Sequence, residues 1–184
     1  MIGNRSVLAG ALVSCALVAG LAPGGPPEAL AQNKCERKTD LNATKSTYTE
    51  QHVLNVGDVP GHQIRIYELR RTFPNDEPNC EGRVRKEMWV RGYSDYINLS
   101  GQTSGYAVTI FDNGDKIFSS YSGTSQTELI AGGKKRSIYT ATAIYTGGTG
   151  QYKGIRGMSR DRIIFDPSAR LNIGESTELY WIEE

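Results

Sequence analysis

The chain is poor in the residues on which most reaction chemistry relies. Its 184 residues include only two His and three Cys. Two His leave little material for a metal site or a His-based triad. No Ser has the Gly-x-Ser-x-Gly context of a nucleophile elbow. Past the first thirty residues, no stretch approaches the roughly 20 apolar residues that a membrane-spanning helix needs. No amphipathic helical period exceeds about two turns, and Ser125 to Ala131 is the one short helical candidate. Charge of one sign is also lacking: 21 Lys and Arg stand against 20 Asp and Glu, a net charge of +1. That balance argues against broad electrostatic capture of nucleic acid. At 22% charged and 38% hydrophobic, the chain is neither a disordered polyelectrolyte nor a membrane bundle. No cofactor or metal is expected.

What is present in quantity is Gly, at 21, and Tyr, at 10, a composition that suits a strand-rich fold with many turns. The first segment is set apart. Arg5 gives a short positive region, Val7 to Ala22 is apolar, and Ala29-Leu30-Ala31 offers an A-x-A cleavage site before Gln32. Residues 1–31 therefore read as a secretory signal peptide, with an uncleaved anchor as the alternative. The apolar run is too short to span with ease, and Pro23, Pro26 and Pro27 disfavour a continuous helix after it. The expected product is secreted or periplasmic, without stable membrane insertion after cleavage. Cleavage removes Cys15 and leaves Cys35 and Cys80, an even number in an oxidising compartment. A Cys35–Cys80 disulfide is expected, against free or metal-binding thiols. Its loop of about 46 residues is worth roughly 4 kcal/mol in the chain-entropy model.

Residues 32–44 read as a polar, irregular arm, and 45–184 as the folded domain. From Lys45 onward the period is two almost everywhere. Ile64, Ile66, Glu68 and Arg70 share one face of an early strand, and Arg65, Tyr67, Leu69 and Arg71 share the other. Residues 74–79 form a loop. Val84, Met88 and Val90 alternate with Arg85, Glu87, Trp89 and Arg91, and the basic run Arg83 to Lys86 reads as a solvated strand face. The Asn113-Gly114 pair between two alternating runs marks a hairpin, because both positions tolerate positive φ. Further strands are expected at Ser137–Thr146, Arg160–Phe165 and Ser176–Ile182, with a turn at Asp166-Pro167-Ser168. About eight strands at steady spacing predict an all-β fold, an antiparallel barrel or a sandwich. At about eight strands a barrel interior is filled by side chains or holds one small ligand.

The sharpest local feature is a cluster of Gly147, Gly148, Gly150, Gly154 and Gly157. It lacks the Gly-Lys-Ser/Thr ending, the following helix and the βαβ setting of a phosphate loop. The reading that fits is structural: the first three turn the chain, and the last two let a strand bend or approach another backbone. The run from Tyr145 through Gly157, with the apolar strand and Pro-containing turn after it, resembles the signature of the allene oxide cyclase-like barrels. The plant dirigent proteins share a related Gly-Gly-Thr-Gly pattern. Tyr67-Glu68-Leu69, followed by a loop containing Pro74, is a second point of similarity. The resemblance implies an eight-stranded antiparallel β-barrel with an apolar lumen. It also implies a small hydrophobic ligand, in some members steered through an intramolecular cyclisation or isomerisation. It carries Glu68 onto the lumen glutamate of the plant cyclases. Arg70 stands where they have an asparagine, and Thr142 where they have a tyrosine. Relatives often form trimers, so homo-oligomerisation is left open.

The residues by themselves allow two readings of Glu68 and Arg70. Facing a lumen, they would be a charged pair in an apolar wall, which marks a site; facing outward, they would be a plain surface pair. Tyr106, Tyr121 and Tyr139 are the tyrosines expected to touch a ligand, by alternation with apolar neighbours, against the plainer role of filling the barrel. His52 and His62 flank a turn and read as surface histidines. Asn42-Ala43-Thr44 and Asn98-Leu99-Ser100 fit the glycosylation acceptor pattern, a short motif that arises often by chance. Two functions follow: a binder of a small hydrophobic molecule, which in its catalytic form steers a cyclisation, or a non-catalytic binding or envelope interaction module.

Overall fold

The computed structural model describes residues 33–42, 44–166 and 171–183, with backbone alone for 171 and 172. All of them belong to the unit that begins at Gln32. The signal-peptide reading of residues 1–31 and the turn at Pro167-Ser168 lie outside the described residues. The described chain is all-β, apart from one short 3-10 turn at Gly150–Tyr152.

The strands are β1 (Cys35–Asp40), β2 (Lys45–Asn55), β3 (His62–Thr72), β4 (Arg85–Ile97) and β5 (Ser100–Phe111). They continue with β6 (Lys116–Ile130), β7 (Lys134–Gly148), β8 (Ile155–Asp166) and β9 (Leu171–Ile182). All pair antiparallel in one sheet, in the order β1-β9-β8-β7-β6-β5-β4-β3-β2. The sheet has nine strands where the alternation suggested about eight, and its ladder is not closed. The additional strand is β1. Residues 35–40 are not an irregular arm: Cys35, Arg37 and Thr39 point inward against Tyr180, Glu178 and Ser176 of β9. A polar inward set hides the alternation from a hydrophobicity reading. The short helical candidate Ser125–Ala131 is also corrected, since β6 runs straight through it to Ile130 and pairs with β7. There the β-favouring Thr and the cross-strand partners outweigh a weak helical period.

With nine strands alternating in direction, the two edge strands β1 and β2 run the same way. Only residues 41–44 separate them, a link that spans at most about 19 Å. The link ties the two edge strands together in sequence, while the ladder between them stays open. One ladder row leaves β1 at Arg37 and passes through Glu178, Ser159, Ala143, Tyr121, Gly105, Gly92 and Tyr67. It reaches β2 at Gln51, 14 residues further along the same run of chain (51 − 37).

One end of the interior is plugged. Phe111, Ile117, Tyr152, Ile155 and Tyr180 pack there around Cys35, whose disulfide to Cys80 holds the loop between β3 and β4. Beside them Arg85 is only 5% exposed. Its guanidinium donates to Asp76 at 2.7 Å and to Glu178 at 2.9 Å, and its face lies 4.7 Å from the Phe73 ring centroid. Arg37 adds a second cation, 2.9 Å from Asp76. The expectation of a solvated basic run fails at Arg85 because a bulge between Arg85 and Glu87 reverses the alternation and turns this one side chain inward.

The glycine cluster serves the plug. The 3-10 turn drops Tyr152, fully buried, onto Phe111 with ring centroids 4.4 Å apart. Gly150 has φ 54°, and a Cβ there would lie 1.9 Å from the Asp115 carboxylate, whose other oxygen accepts from the Gln151 N–H. At Gly157 a Cβ would lie 2.2 Å from the Leu179 carbonyl oxygen. The neighbour at Gly157 is backbone that cannot give way, so only glycine permits that approach.

Candidate functional site

Above the plug, the concave face of β2 through β8 lines a cavity of about 400 Å³. Two wider depressions on the outer face, about 690 and 640 Å³, are more open to solvent. The inward set of β3 is Tyr67, Leu69 and Arg71, which continues through Met88 and Val90 of β4 and Ala107 of β5. Tyr48, Tyr96, Tyr121 and Tyr139 complete an aromatic wall.

Mid-strand glycines make room for that wall. Gly92 and Gly105 lie opposite one another on β4 and β5. A Cβ on Gly92 would come within 2.1 Å of the Tyr121 hydroxyl and 2.6 Å of the Tyr67 ring. The two phenols meet across this gap, with hydroxyl oxygens 2.8 Å apart. The Tyr67 hydroxyl also lies 3.0 Å from Thr103 Oγ1, which donates to the Tyr93 carbonyl. Tyr48 stands edge-on to Tyr67, with centroids 5.5 Å apart.

Burial is the main reason that Tyr96, Tyr121 and Tyr139 resist ionisation. It pushes Tyr96 up to about 12, with the neighbouring phenols of Tyr67 and Tyr48 adding to the rise. Burial likewise raises Tyr121, reinforced by its hydrogen bond with Tyr67. It raises Tyr139 as well, reinforced by the Tyr67 and Tyr96 phenols and by the Asp161 carboxylate. At neutral pH Tyr96, Tyr121 and Tyr139 thus present neutral hydroxyls to the cavity.

Two charges line the cavity, Arg71 and Asp161. Arg71 Nε donates to Ser46 Oγ at 3.1 Å, and no carboxylate pairs with it among the described residues. Asp161 Oδ1 accepts from Ser176 Oγ at 2.6 Å, and no cation pairs with it among the described residues. Neither His nor Cys lines the cavity. Among the described residues no cluster of His, Cys, Asp and Glu is placed to hold a metal ion.

The register decides the open question about β3. Glu68 and Arg70 lie on the outer face, not in the lumen. They do not pair with each other: Glu68 meets Arg91 at 2.7 Å, and Arg70 meets Glu87 at 2.6 Å while lying over the Trp89 ring. The polarising role for Glu68 therefore loses its geometry. Of the tyrosines read as ligand contacts, Tyr121 and Tyr139 line the cavity, whereas Tyr106 is 70% exposed on the outer face. Thr142 is also outward, beside Arg160. The sequence reading missed Tyr48, Tyr96, Arg71 and Asp161 as lumen residues. The signal that could have found the lumen face is the facing pair Gly92 and Gly105, since a glycine inside a strand marks a place that something large approaches.

Of the two histidines, His52 is exposed and bonds Glu50, while His62 is clamped between Asp58 and Asp95 at the β2–β3 turn. Among the described residues no helix is long and apolar enough to cross a membrane. No family model matches the chain, and no curated protein or solved structure matches it significantly. The lumen's own chemistry therefore carries the functional reading.

Proposed function

We propose that this protein binds one small, largely apolar molecule in the lumen, with Arg71 and Asp161 orienting its polar groups. The observation that carries the reading is the concave cavity of about 400 Å³, walled by aromatic and aliphatic side chains with two charges that lack ionic partners. Ligand pockets typically measure about 300–1,000 Å³ and combine an apolar wall with a few placed polar groups. In this reading β1 and β2 act as one interrupted strand, and the curled sheet is an eight-stranded barrel of the allene oxide cyclase-like kind. The chain is exported, in keeping with its disulfide.

A catalytic version would steer a cyclisation by confinement and charge placement. Its charged groups are Arg71 and Asp161 in place of Glu68 and Arg70. The second reading, a non-catalytic interaction module, is favoured by Ile66, 62% exposed, and Tyr106, 70% exposed, on the outer face. Native mass spectrometry of protein purified from its own host separates the two. A bound small molecule is expected, lost in Ala107→Phe, which fills the lumen, and kept in Tyr106→Ala. A barrel that is reproducibly empty, or a ligand lost only with Tyr106, sinks the lumen reading.

A further inference from the structure

We propose that β2 pairs edge to edge with β2 of a second copy of this chain, the two strands antiparallel about a twofold axis through Gln51. The sheet's two edges differ sharply. β1 is six residues long and pinned by its disulfide and by Arg37. β2 is eleven residues long, every one of them exposed, and its one ladder partner is β3. Among the described residues, the other edge of β2 has no backbone partner from Lys45 to Asn55. A bare edge presents a row of N–H and C=O groups that a further strand can pair with.

Natural edges are guarded by Lys, Pro or bulges. In β2 the guards stop halfway. Lys45 and the bulge between Tyr48 and Glu50 protect the first half. Glu50 to Asn55 contains no Lys, Pro or Gly, and it exposes Val53 at 44% and Leu54 at 70%.

The strand's own order of residues selects the occupant. With Gln51 on the axis, Glu50 lies opposite the partner's His52, and symmetry repeats the pair. An axis at Glu50 or at His52 would set like residues against each other. Glu50 Oε1 and His52 Nε2 already lie 2.9 Å apart within one chain, so the two side chains share a face and form a compatible hydrogen bond. Thr49 then lies opposite the partner's Val53. The arrangement is independent of what the lumen holds.

Sedimentation equilibrium of the disulfide-bonded protein, with amide hydrogen exchange at several concentrations, tests the pairing. A reversible dimer is expected, with exchange slowing in β2 as concentration rises. Glu50→Lys and His52→Glu, each at an exposed position, should each weaken association by about tenfold or more, and the double variant should restore it. A protein that stays monomeric overturns the proposal. So does a dimer indifferent to these substitutions, or one that slows exchange elsewhere and not in β2.

Discussion

The plug and the lumen are built on the same inward face, yet they treat charge in opposite ways. In the plug, Arg85 is enclosed by two carboxylates and Arg37 adds a second cation. Burial alone would raise the Asp76 carboxyl, but hydrogen bonds and charge from Arg85, with the charge of Arg37, outweigh it and hold Asp76 below the usual range. Glu178, more deeply buried, is raised despite the same cations. In the lumen, Arg71 and Asp161 each rely on one Ser hydroxyl. Paired, buried charge fixes a structure, whereas charge without an ionic partner on a cavity wall is available to something else. The difference teaches where the molecule is held together and where it has capacity to spare.

The largest effect that would break the comparison is loss of the plug cation. Arg85→Ala leaves Asp76 and Glu178 with Arg37 as their one remaining cation, and about 3–5 kcal/mol of stability should be lost in urea unfolding. Arg71→Ala should lose less than about 1 kcal/mol, because its charge has no ionic partner to strand. Equal losses would erase the distinction. Next in size, reduction of Cys35–Cys80, separated by 45 residues, should remove about 2–4 kcal/mol. Hydrogen exchange should then quicken in the loop between β3 and β4 and in β1, with β5 to β7 protected. Quickening that is uniform along the chain would show the plug is not a separate unit. Tyr121→Phe sharpens the lumen side. It deletes the Tyr67–Tyr121 bond but leaves Tyr67 its Thr103 partner, so about 0.5–1.5 kcal/mol should be lost.

The smallest effect lies in neither region. Hydrogen bonds from Asp95 and then Asp58 raise the His62 imidazole above its ordinary value. A raised folded value means the stabilisation is fully present below about pH 6.5 and fades as pH climbs through the raised value. The stability gap between the protein and His62→Gln should accordingly narrow on going from acid to alkaline buffer. A gap that widens would show that the imidazole is not held by these carboxylates as a cation.

Strand positions were legible because alternation and turn chemistry are local. Asn113-Gly114 marks its hairpin, and the Cys35–Cys80 pairing follows from there being two cysteines past Gln32. The inward face of β3 was not legible, since both of its faces carry aliphatic and charged side chains, Ile64 with Glu68 against Leu69 with Arg71. Nor was the inward Arg85, because a one-residue bulge leaves no mark in composition. The Asn98-Leu99 turn was hidden for a related reason. Both residues take positive φ, 52° and 69°, at a place where Gly is the usual signal. The lumen charges were invisible for want of a partner: Arg71 and Asp161 lie far apart in sequence and are brought together only by curvature.

The pairing of β1 with β9 also bears on the order in which the molecule assembles. Every other ladder joins strands adjacent in sequence, so β2 to β9 can zip up hairpin by hairpin. β1 has no ladder to join until β9 arrives, 145 residues later (180 − 35). The bond to Cys80 can anchor it much earlier and shorten the loop that the final closure must order. An oxidant acting early would therefore speed the last step of folding, and a reducing environment would leave the first strand waiting for the last.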